Sequence, residues 1–235
     1  MTARRWRHAD LILVAVTALV FLQWPQLDLQ LARLFHVPGQ GFTWDRAWWV
    51  QLIYVVVARF WVLAPVLAAL LLLSLLPRLR QRWRRHRLVV AYLLAALLLG
   101  PGLVANTLLK NHWGRPRPVH LAEFGGPAHF TPALEPSRQC PRNCAFVSGH
   151  AAAAFYLMAP YWVTGRRRWL AAGIAFGLFV GAVRMVMGAH FLSDVLFAGF
   201  VVYFSCQCLA SLMLRRRAAP RLSVMPAPHP GGVPD

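Results

Sequence analysis

Charged residues are scarce in this chain of 235 residues: Asp, Glu, Lys and Arg together make up 14% of it, and only seven residues are acidic. Soluble domains carry roughly 25% charged residues, so this composition, which is 58% hydrophobic, excludes a mostly water-exposed surface. The 25 bases give a formal net charge of +18, but they occur in runs between apolar stretches and not along one face, as in nucleic-acid-binding proteins. We therefore expect an integral protein of the lipid bilayer, with no nucleic-acid partner.

Long apolar stretches predict an all-α bundle with six transmembrane spans, since about 20 apolar residues cross the hydrocarbon core. Residues 47–58 are predicted to form a separate interfacial helix, because Arg59 would be costly at the bilayer centre. The third span is expected to bend at Gly100-Pro101-Gly102, where proline removes a backbone donor. The predicted spans are residues 10–24, 60–76, 88–109, 149–163, 169–187 and 191–214.

Four arginine runs predict the orientation of these spans. With six spans all four runs lie on one side, which the positive-inside rule makes cytoplasmic. The runs are Arg4 to Arg7, Arg78 to Arg87, Arg166 to Arg168 and Arg215 to Arg221. We thus expect cytoplasmic N- and C-termini, with the loops between the runs on the outer side of the membrane.

The predicted spans also divide the chain. Residues 1–217 would form the six-helix domain, with an outer loop at 111–148, and the proline-rich residues 218–235 a disordered cytoplasmic tail. No small-x-small cleavage site follows the first apolar stretch, which favours a retained span over a cleaved signal peptide.

Three polar clusters remain on the outer side, at residues 110–118, 146–150 and 184–194. The first contains Lys110, the only lysine beside 24 arginines, which indicates a need for a compact charge on a flexible stem. Polar groups at such a depth are by default a functional hypothesis. The alternative for Lys110 alone is a side chain that merely extends to the membrane interface.

The second and third clusters each contain a histidine. Ser148 is a good N-cap residue, so the amides of Gly149 and His150 would lie at a helix N-terminus, where phosphate binds. His190 and Asp194 are four residues apart and share a helix face, which lets a carboxylate hold an imidazole in one tautomer and stabilise its cation. Taken singly these are an ordinary cap and a surface contact; together on one side they predict a functional site.

The order and spacing of these residues resemble the type-2 phosphatidic acid phosphatase superfamily, which contains bacterial membrane lipid phosphatases and vanadium haloperoxidases. The matching residues are Lys110, Arg117 and Pro118 in the first motif, Ser148, Gly149 and His150 in the second, and Arg184, His190 and Asp194 in the third. Val147 replaces the proline of the second motif. Val183 replaces the serine of the third and removes a hydroxyl that could support the phosphate.

The resemblance implies a phosphoric monoester hydrolase of the bacterial inner membrane, with its active site at the outer, periplasmic face. His190 would attack phosphorus and become a phosphohistidine, Asp194 would stabilise the resulting positive charge, and His150 would protonate the leaving alcohol. The groups implied to hold the phosphate oxygens are Lys110, Arg117, Arg184, Ser148 and Gly149. Arg115 is a further candidate for binding substrate charge. No metal or other cofactor is implied, because cationic side chains neutralise the phosphate and clustered carboxylates that Mg²⁺ prefers are lacking.

The loop at residues 119–145 bears on the substrate, which we expect to be a phosphorylated membrane lipid. It is most similar to that of bacterial lipid A phosphatases, particularly those acting at the 4′ position, and its Arg138 and Arg142 could bind a sugar headgroup and a second phosphate. For the loop, the alternative is an ordinary lid that does not select the substrate. The alternative substrates are undecaprenyl pyrophosphate, phosphatidylglycerophosphate and phosphatidic acid. A haloperoxidase, an anion or lipid transporter and a non-catalytic scaffold are the rival classes.

Cys140 and Cys144 lie in the same loop. In an oxidising compartment their spacing favours a local disulfide, and two cysteines alone are a weak zinc signal.

Overall fold

The computed structural model describes residues 8–214, except for the side chain of Arg85. Over this range the chain is helical and contains no β-strand, only two isolated bridges. The α-helices are α1 (His8–Gln23), α2 (Gln26–Arg33), α3 (Trp48–Ala58), α4 (Leu63–Leu73), α5 (Pro77–Arg80), α6 (Arg84–Leu97), α7 (Lys110–His112), α8 (Gly149–Phe155), α9 (Pro160–Thr164), α10 (Arg167–Val186) and α11 (Leu192–Met213). The predicted tail at 218–235 and the first and last arginine runs lie outside the described residues.

Within residues 8–214, four helical segments are long and apolar enough to cross a membrane: Trp48–Leu73, His86–His112, Arg167–Val186 and Leu192–Met213. The pair α1 and α2, bent by 80°, would be a fifth if it counts as one broken span. The predicted third, fifth and sixth spans correspond to three of these segments. The all-α membrane architecture is thus confirmed, while the count of six stays a prediction.

The second predicted span differs from the structure, which joins it to the segment assigned to the interface. The helix α3, a 3₁₀ turn at Arg59–Val62 and α4 run on as one segment of 26 residues. Arg59 lies exposed on this segment, where a long side chain can carry its guanidinium away from the apolar layer. A charge in an apolar run therefore did not end the helix.

The third span changes its helical geometry near the predicted bend. It passes from α6 into a π-helical segment, Leu98–Leu109, that contains Pro101. The side-chain amide of Asn106 donates to the carbonyl of Pro101 at 2.8 Å. This span ends in α7, which begins with Lys110.

The fourth predicted span is broken into three short helices, α8, a 3₁₀ helix at Tyr156–Met158 and α9. The helix α8 nevertheless lies in the core, with Ala151 to Ala154 all buried. Small residues let helices approach closely: a Cβ on Gly181 of α10 would come within 2.2 Å of a methyl of Val195 on α11. The backbone N–H of Ser148 donates to the carbonyl of Asp194 at 3.1 Å, so the first turns of α8 and α11 lie side by side.

A hydrophobic cluster separate from the core around α8 joins α2 to the outer loop and to the residue before α11. Its buried members are Leu29, Ala32, Phe42, Leu121, Phe124 and Phe191. The cluster carries α2 to the same end of the bundle as the three polar clusters.

Candidate active site

His190 lies completely buried in the short connection between α10 and α11, and its hydrogen bonding fixes the tautomer. Its Nδ1 is 2.8 Å from the carbonyl oxygen of Ala145. Because a carbonyl only accepts hydrogen bonds, Nδ1 carries the proton and Nε2 keeps a free lone pair. That Nε2 is buried without a hydrogen-bond partner, so it is available as a nucleophile.

The electrostatic surroundings of His190 keep its ring neutral. Burial holds the pKa of His190 well below its ordinary value, and the positive charges of Lys110, Arg184 and Arg117 lower it further. A lowered pKa favours the neutral imidazole, so the lone pair is lost only when the pH falls through that depressed value. At neutral pH the nucleophilic form therefore predominates.

Asp194, in the first turn of α11, stands beside His190 but does not make the expected close hydrogen bond to it. One carboxylate oxygen is 3.7 Å from His190 Nδ1 and accepts the backbone N–H of Phe191 at 2.8 Å. The carbonyl of Ala145, which the sequence did not single out, sets the tautomer instead. Asp194 contributes a negative charge next to the imidazole.

His150, in the first turn of α8, also presents a free ring nitrogen. Its Nε2 is buried without a hydrogen-bond partner, and its ring stacks on Tyr54 of α3 with centroids 4.7 Å apart. The guanidinium of Arg184 lies over the same tyrosine ring, 4.8 Å from its centroid. Tyr54 thus orients two site residues, and the sequence analysis missed it because a tyrosine in an apolar run is usually a packing residue.

Three cations surround the two histidines. Lys110 and Arg184 are buried, and Arg117 is half-buried. The guanidinium of Arg117 donates to the carbonyl of Asn143 at 2.8 Å. Burial lowers the pKa of Arg117, yet arginine stays protonated in proteins, so the site keeps its positive charge.

Buried polar atoms without partners concentrate in this place. Among the described side chains there are four such atoms, and three belong to His150, Arg184 and His190. Unpaired buried donors and acceptors are rare in folded proteins and each costs about 1–3 kcal/mol. Their concentration marks where the oxygen atoms of an anionic ligand would be bound.

Ser148 caps α8 as the sequence predicted. Its side chain accepts the backbone N–H of Ala151, and its own N–H donates to the carbonyl of Asp194 at 3.1 Å. Gly149 packs directly on Asn106, whose Oδ1 would lie 2.1 Å from an added Cβ. Glycine is therefore needed here to bring the start of α8 against the π-helical segment of the third span.

Arg115 does not lie where a substrate ligand would. Its side chain is 0% exposed, and its guanidinium donates to Asp28, to Asp194, to Ser193 and to the carbonyl of Thr131. The prediction that Arg115 binds substrate charge is therefore corrected, because these buried partners already occupy its donors. The exposed Arg138 and Arg142 remain on the surface of the outer loop.

Cys140 and Cys144 form a disulfide, the arrangement that their spacing in the sequence favoured. The closed loop lies against the site. Asn143 inside it supplies the carbonyl that holds Arg117, and the backbone N–H of Cys144 donates to the carbonyl of Lys110 at 2.9 Å. The next residue, Ala145, supplies the carbonyl that holds His190.

We expect reduction of this disulfide to lower kcat/KM by roughly ten- to a hundredfold, since small misplacements of catalytic groups are that costly. Phosphate release would be measured before and after treatment with a thiol reductant. The Cys140→Ser/Cys144→Ser double variant is the matched control: it should start at the lower rate and not respond to the reductant. Full activity of the wild-type protein, with both thiols shown to be reduced by mass spectrometry, would contradict the expectation.

Comparison with known proteins agrees with the three motifs. The family model described as PAP2 superfamily matches residues 88–218, which contain all three. The Lipid A 4'-phosphatase of Francisella tularensis subsp. novicida is 35% identical over 212 residues, covering 84% of this chain and 90% of that protein. The Lipid A 4'-phosphatase of Rhizobium leguminosarum is 44% identical over 115 residues, 48% of each chain.

A protein named for a different position is also similar. The Lipid A 1-phosphatase of Rhizobium etli is 34% identical over 143 residues, covering 52% of this chain and 53% of that protein. No solved structure matches the chain significantly.

Proposed function

The chain belongs to the PAP2 superfamily, and from this premise we propose that it is a membrane phosphoric monoester hydrolase that removes the 4′-phosphate of lipid A. The observation that carries the proposal is the free Nε2 of a neutral His190 among three cations. The names of the relatives supply the substrate, and the similarity to the Francisella protein extends beyond the motifs over most of the chain.

In the first step His190 Nε2 attacks phosphorus, and the bond between phosphorus and the sugar oxygen breaks. The negative charge of the bound phosphate offsets the nearby cations and favours a protonated His150. His150 gives this proton to the leaving oxygen, so that the lipid departs as an alcohol. Lys110, Arg117 and Arg184 neutralise the three remaining phosphoryl oxygens, since phosphoryl transfer depends mostly on positioning and charge stabilisation. The product of this step is a phosphohistidine.

In the second step a water molecule attacks the phosphohistidine. His150 accepts a proton from that water, the bond between phosphorus and nitrogen breaks, and inorganic phosphate leaves. No metal takes part in either step of the proposed reaction, because Lys and Arg supply the positive charge that Mg²⁺ supplies elsewhere. A chelating agent should therefore leave the rate unchanged.

We also propose that the site faces the periplasm in a six-span arrangement with cytoplasmic termini. The arginine runs support this orientation. The Cys140–Cys144 disulfide supports it independently, because disulfides persist in oxidising compartments and are rare in the cytosol.

Sidedness can be tested with single cysteines at two exposed positions. A membrane-impermeant thiol reagent applied to intact spheroplasts should label Glu123→Cys in the outer loop and should not label Gln81→Cys between the second and third spans. Lysed cells serve as the control, in which both are labelled. The opposite pattern would place the site in the cytoplasm.

The substrate is tested by mass spectrometry of lipid A from a Gram-negative host that expresses the chain. We expect the loss of one phosphate, located at the 4′ position by fragmentation, and no loss with His190→Ala. If lipid A is unchanged and the amount of undecaprenyl pyrophosphate or phosphatidylglycerophosphate falls, that lipid is the substrate instead. Turnover of any of these esters would exclude a pure transporter.

A further inference from the structure

A buried chain of charges lies directly behind the candidate nucleophile. Arg115 forms ion pairs with Asp28 at 2.8 Å and with Asp194 at 2.6 Å. All three side chains are at most 1% exposed. Asp194 in turn stands 3.7 Å from His190, so the chain of charges runs from Asp28 to the reacting imidazole.

Aromatic rings enclose this chain of charges. The guanidinium carbon of Arg115 lies 4.2 Å from the ring centroid of Phe191 and 5.6 Å from that of Phe130. Charge interactions are much stronger where water is excluded than at a surface. A change of charge at Asp28 is therefore expected to be felt at Asp194 and His190.

Asp28 comes from α2, far from the motifs in sequence and outside the residues that the family model matches. It accepts the backbone N–H of Ser193 at 3.0 Å and the hydroxyl of the same residue. It thus binds the first turn of α11, next to Asp194. This carboxylate therefore connects the N-terminal part of the chain to the site.

The net charge of Asp28, Arg115 and Asp194 fits the phosphohistidine better than it fits the free enzyme. With Asp28 and Asp194 ionised and Arg115 protonated, the cluster has a net charge of −1 while His190 is neutral. When Nε2 bonds to phosphorus, the imidazole becomes a cation and the cluster is balanced. Without the charge of Asp28, Arg115 alone would cancel Asp194, and the cation would have no net counter-charge.

We propose that Asp28 and Arg115 are positioning residues that hold the Asp194 carboxylate beside His190 and give it the net negative charge that stabilises the imidazolium of the phosphohistidine. The proposal rests on His190 being the nucleophile, as in the proposed function. It does not depend on which lipid is the substrate. Neither residue touches the phosphate, so both act on the bond-forming step and not on ground-state binding.

The test uses two inorganic anions, each titrated calorimetrically into the purified protein. Vanadate becomes five-coordinate on a nucleophile and resembles the transition state, whereas phosphate occupies the same cations without forming a bond. For Asp28→Asn we expect vanadate affinity to fall by roughly ten- to a hundredfold and phosphate affinity to stay unchanged. With lipid substrate, kcat should fall by the same factor while KM stays unchanged.

Two further variants serve as controls. Glu123→Gln removes an exposed acid from the outer loop that also contains Arg115, and it should change neither affinity. Asp28→Asn/Arg115→Gln restores the net charge of −1, so it should bind vanadate more tightly than Asp28→Asn alone. If the network were purely structural, the double variant would bind vanadate more weakly than Asp28→Asn alone.

The outcomes separate this inference from the proposed function. Equal losses for vanadate and phosphate in Asp28→Asn, or no loss of either, would overturn the inference. Failure of both Asp28 variants to fold would assign the network to stability alone and would overturn it too. Selective loss of vanadate binding supports it, even if lipid A proves not to be hydrolysed and only the proposed substrate falls.

Discussion

The His190→Ala variant is expected to lose turnover almost completely, with kcat falling by roughly 10⁴- to 10⁶-fold. The reason is local: Nε2 of His190 is the free lone pair that faces the cations, and its tautomer is fixed by the carbonyl of Ala145. The methyl group of alanine offers no nucleophile in its place. Phosphate release from purified lipid A, followed over hours, measures the residual rate.

The matched control for this prediction is His129→Ala. His129 is an exposed histidine of the outer loop, so its loss should leave the rate unchanged. Phosphate affinity of His190→Ala should also persist, because Lys110, Arg117 and Arg184 remain. Substantial turnover by folded His190→Ala would show that His190 is not the nucleophile.

The His150→Ala variant is expected to lose roughly 10²- to 10⁴-fold in kcat, the usual contribution of a general acid–base group. In the proposed mechanism His150 serves both steps, first protonating the leaving sugar oxygen and then accepting a proton from water. Its Nε2 is buried without a hydrogen-bond partner beside the cations. Among residues 8–214, His190 is the only other histidine with such an atom.

The choice of leaving group distinguishes acid catalysis from a general loss of structure. An aryl phosphate with a strongly acidic phenol needs no proton as it leaves, so His150→Ala should transfer its phosphoryl group to His190 nearly as fast as the wild-type protein. The phosphohistidine should then accumulate, since water attack still lacks its base. Equal loss on alkyl and aryl esters would contradict the assigned role.

Sequence alone predicted the parts of the site that depend on local pattern. The N-cap at Ser148, the buried Lys110 and Arg184, and the two histidines were all assigned from residue type and spacing. The structure brings these groups together because their clusters lie at the ends of helices that pack side by side. Long apolar runs likewise predicted α10 and α11 within a few residues.

The remaining features depend on contacts between distant parts of the chain. The carbonyl of Ala145 and the ring of Tyr54 carry no signal of their own in the sequence, and Asp28 meets Ser193 across 165 positions. Arg115 was misassigned because an arginine that binds substrate and one that binds buried carboxylates have the same side chain. Only the burial and the partners of its guanidinium separate the two.

The break in the fourth predicted span has a similar origin. Residues 149–163 are apolar enough to cross a membrane, but Pro160 lacks the backbone donor that a continuous helix needs, and the core around α8 compensates by packing. Arg59 was expected to separate an interfacial helix from the second span. It does not, because its side chain lies exposed on the helix surface, and the sequence does not show this exposure.

The covalent intermediate tests the central claim most directly. His150→Ala would be mixed with an aryl phosphate, quenched without acid because phosphohistidine is acid-labile, digested, and analysed by mass spectrometry for the phosphorylated residue. We expect phosphate on His190 in this variant and none in His150→Ala/His190→Ala. Phosphate on another residue, or phosphate release by the wild-type protein with no modified histidine in His150→Ala, would contradict it.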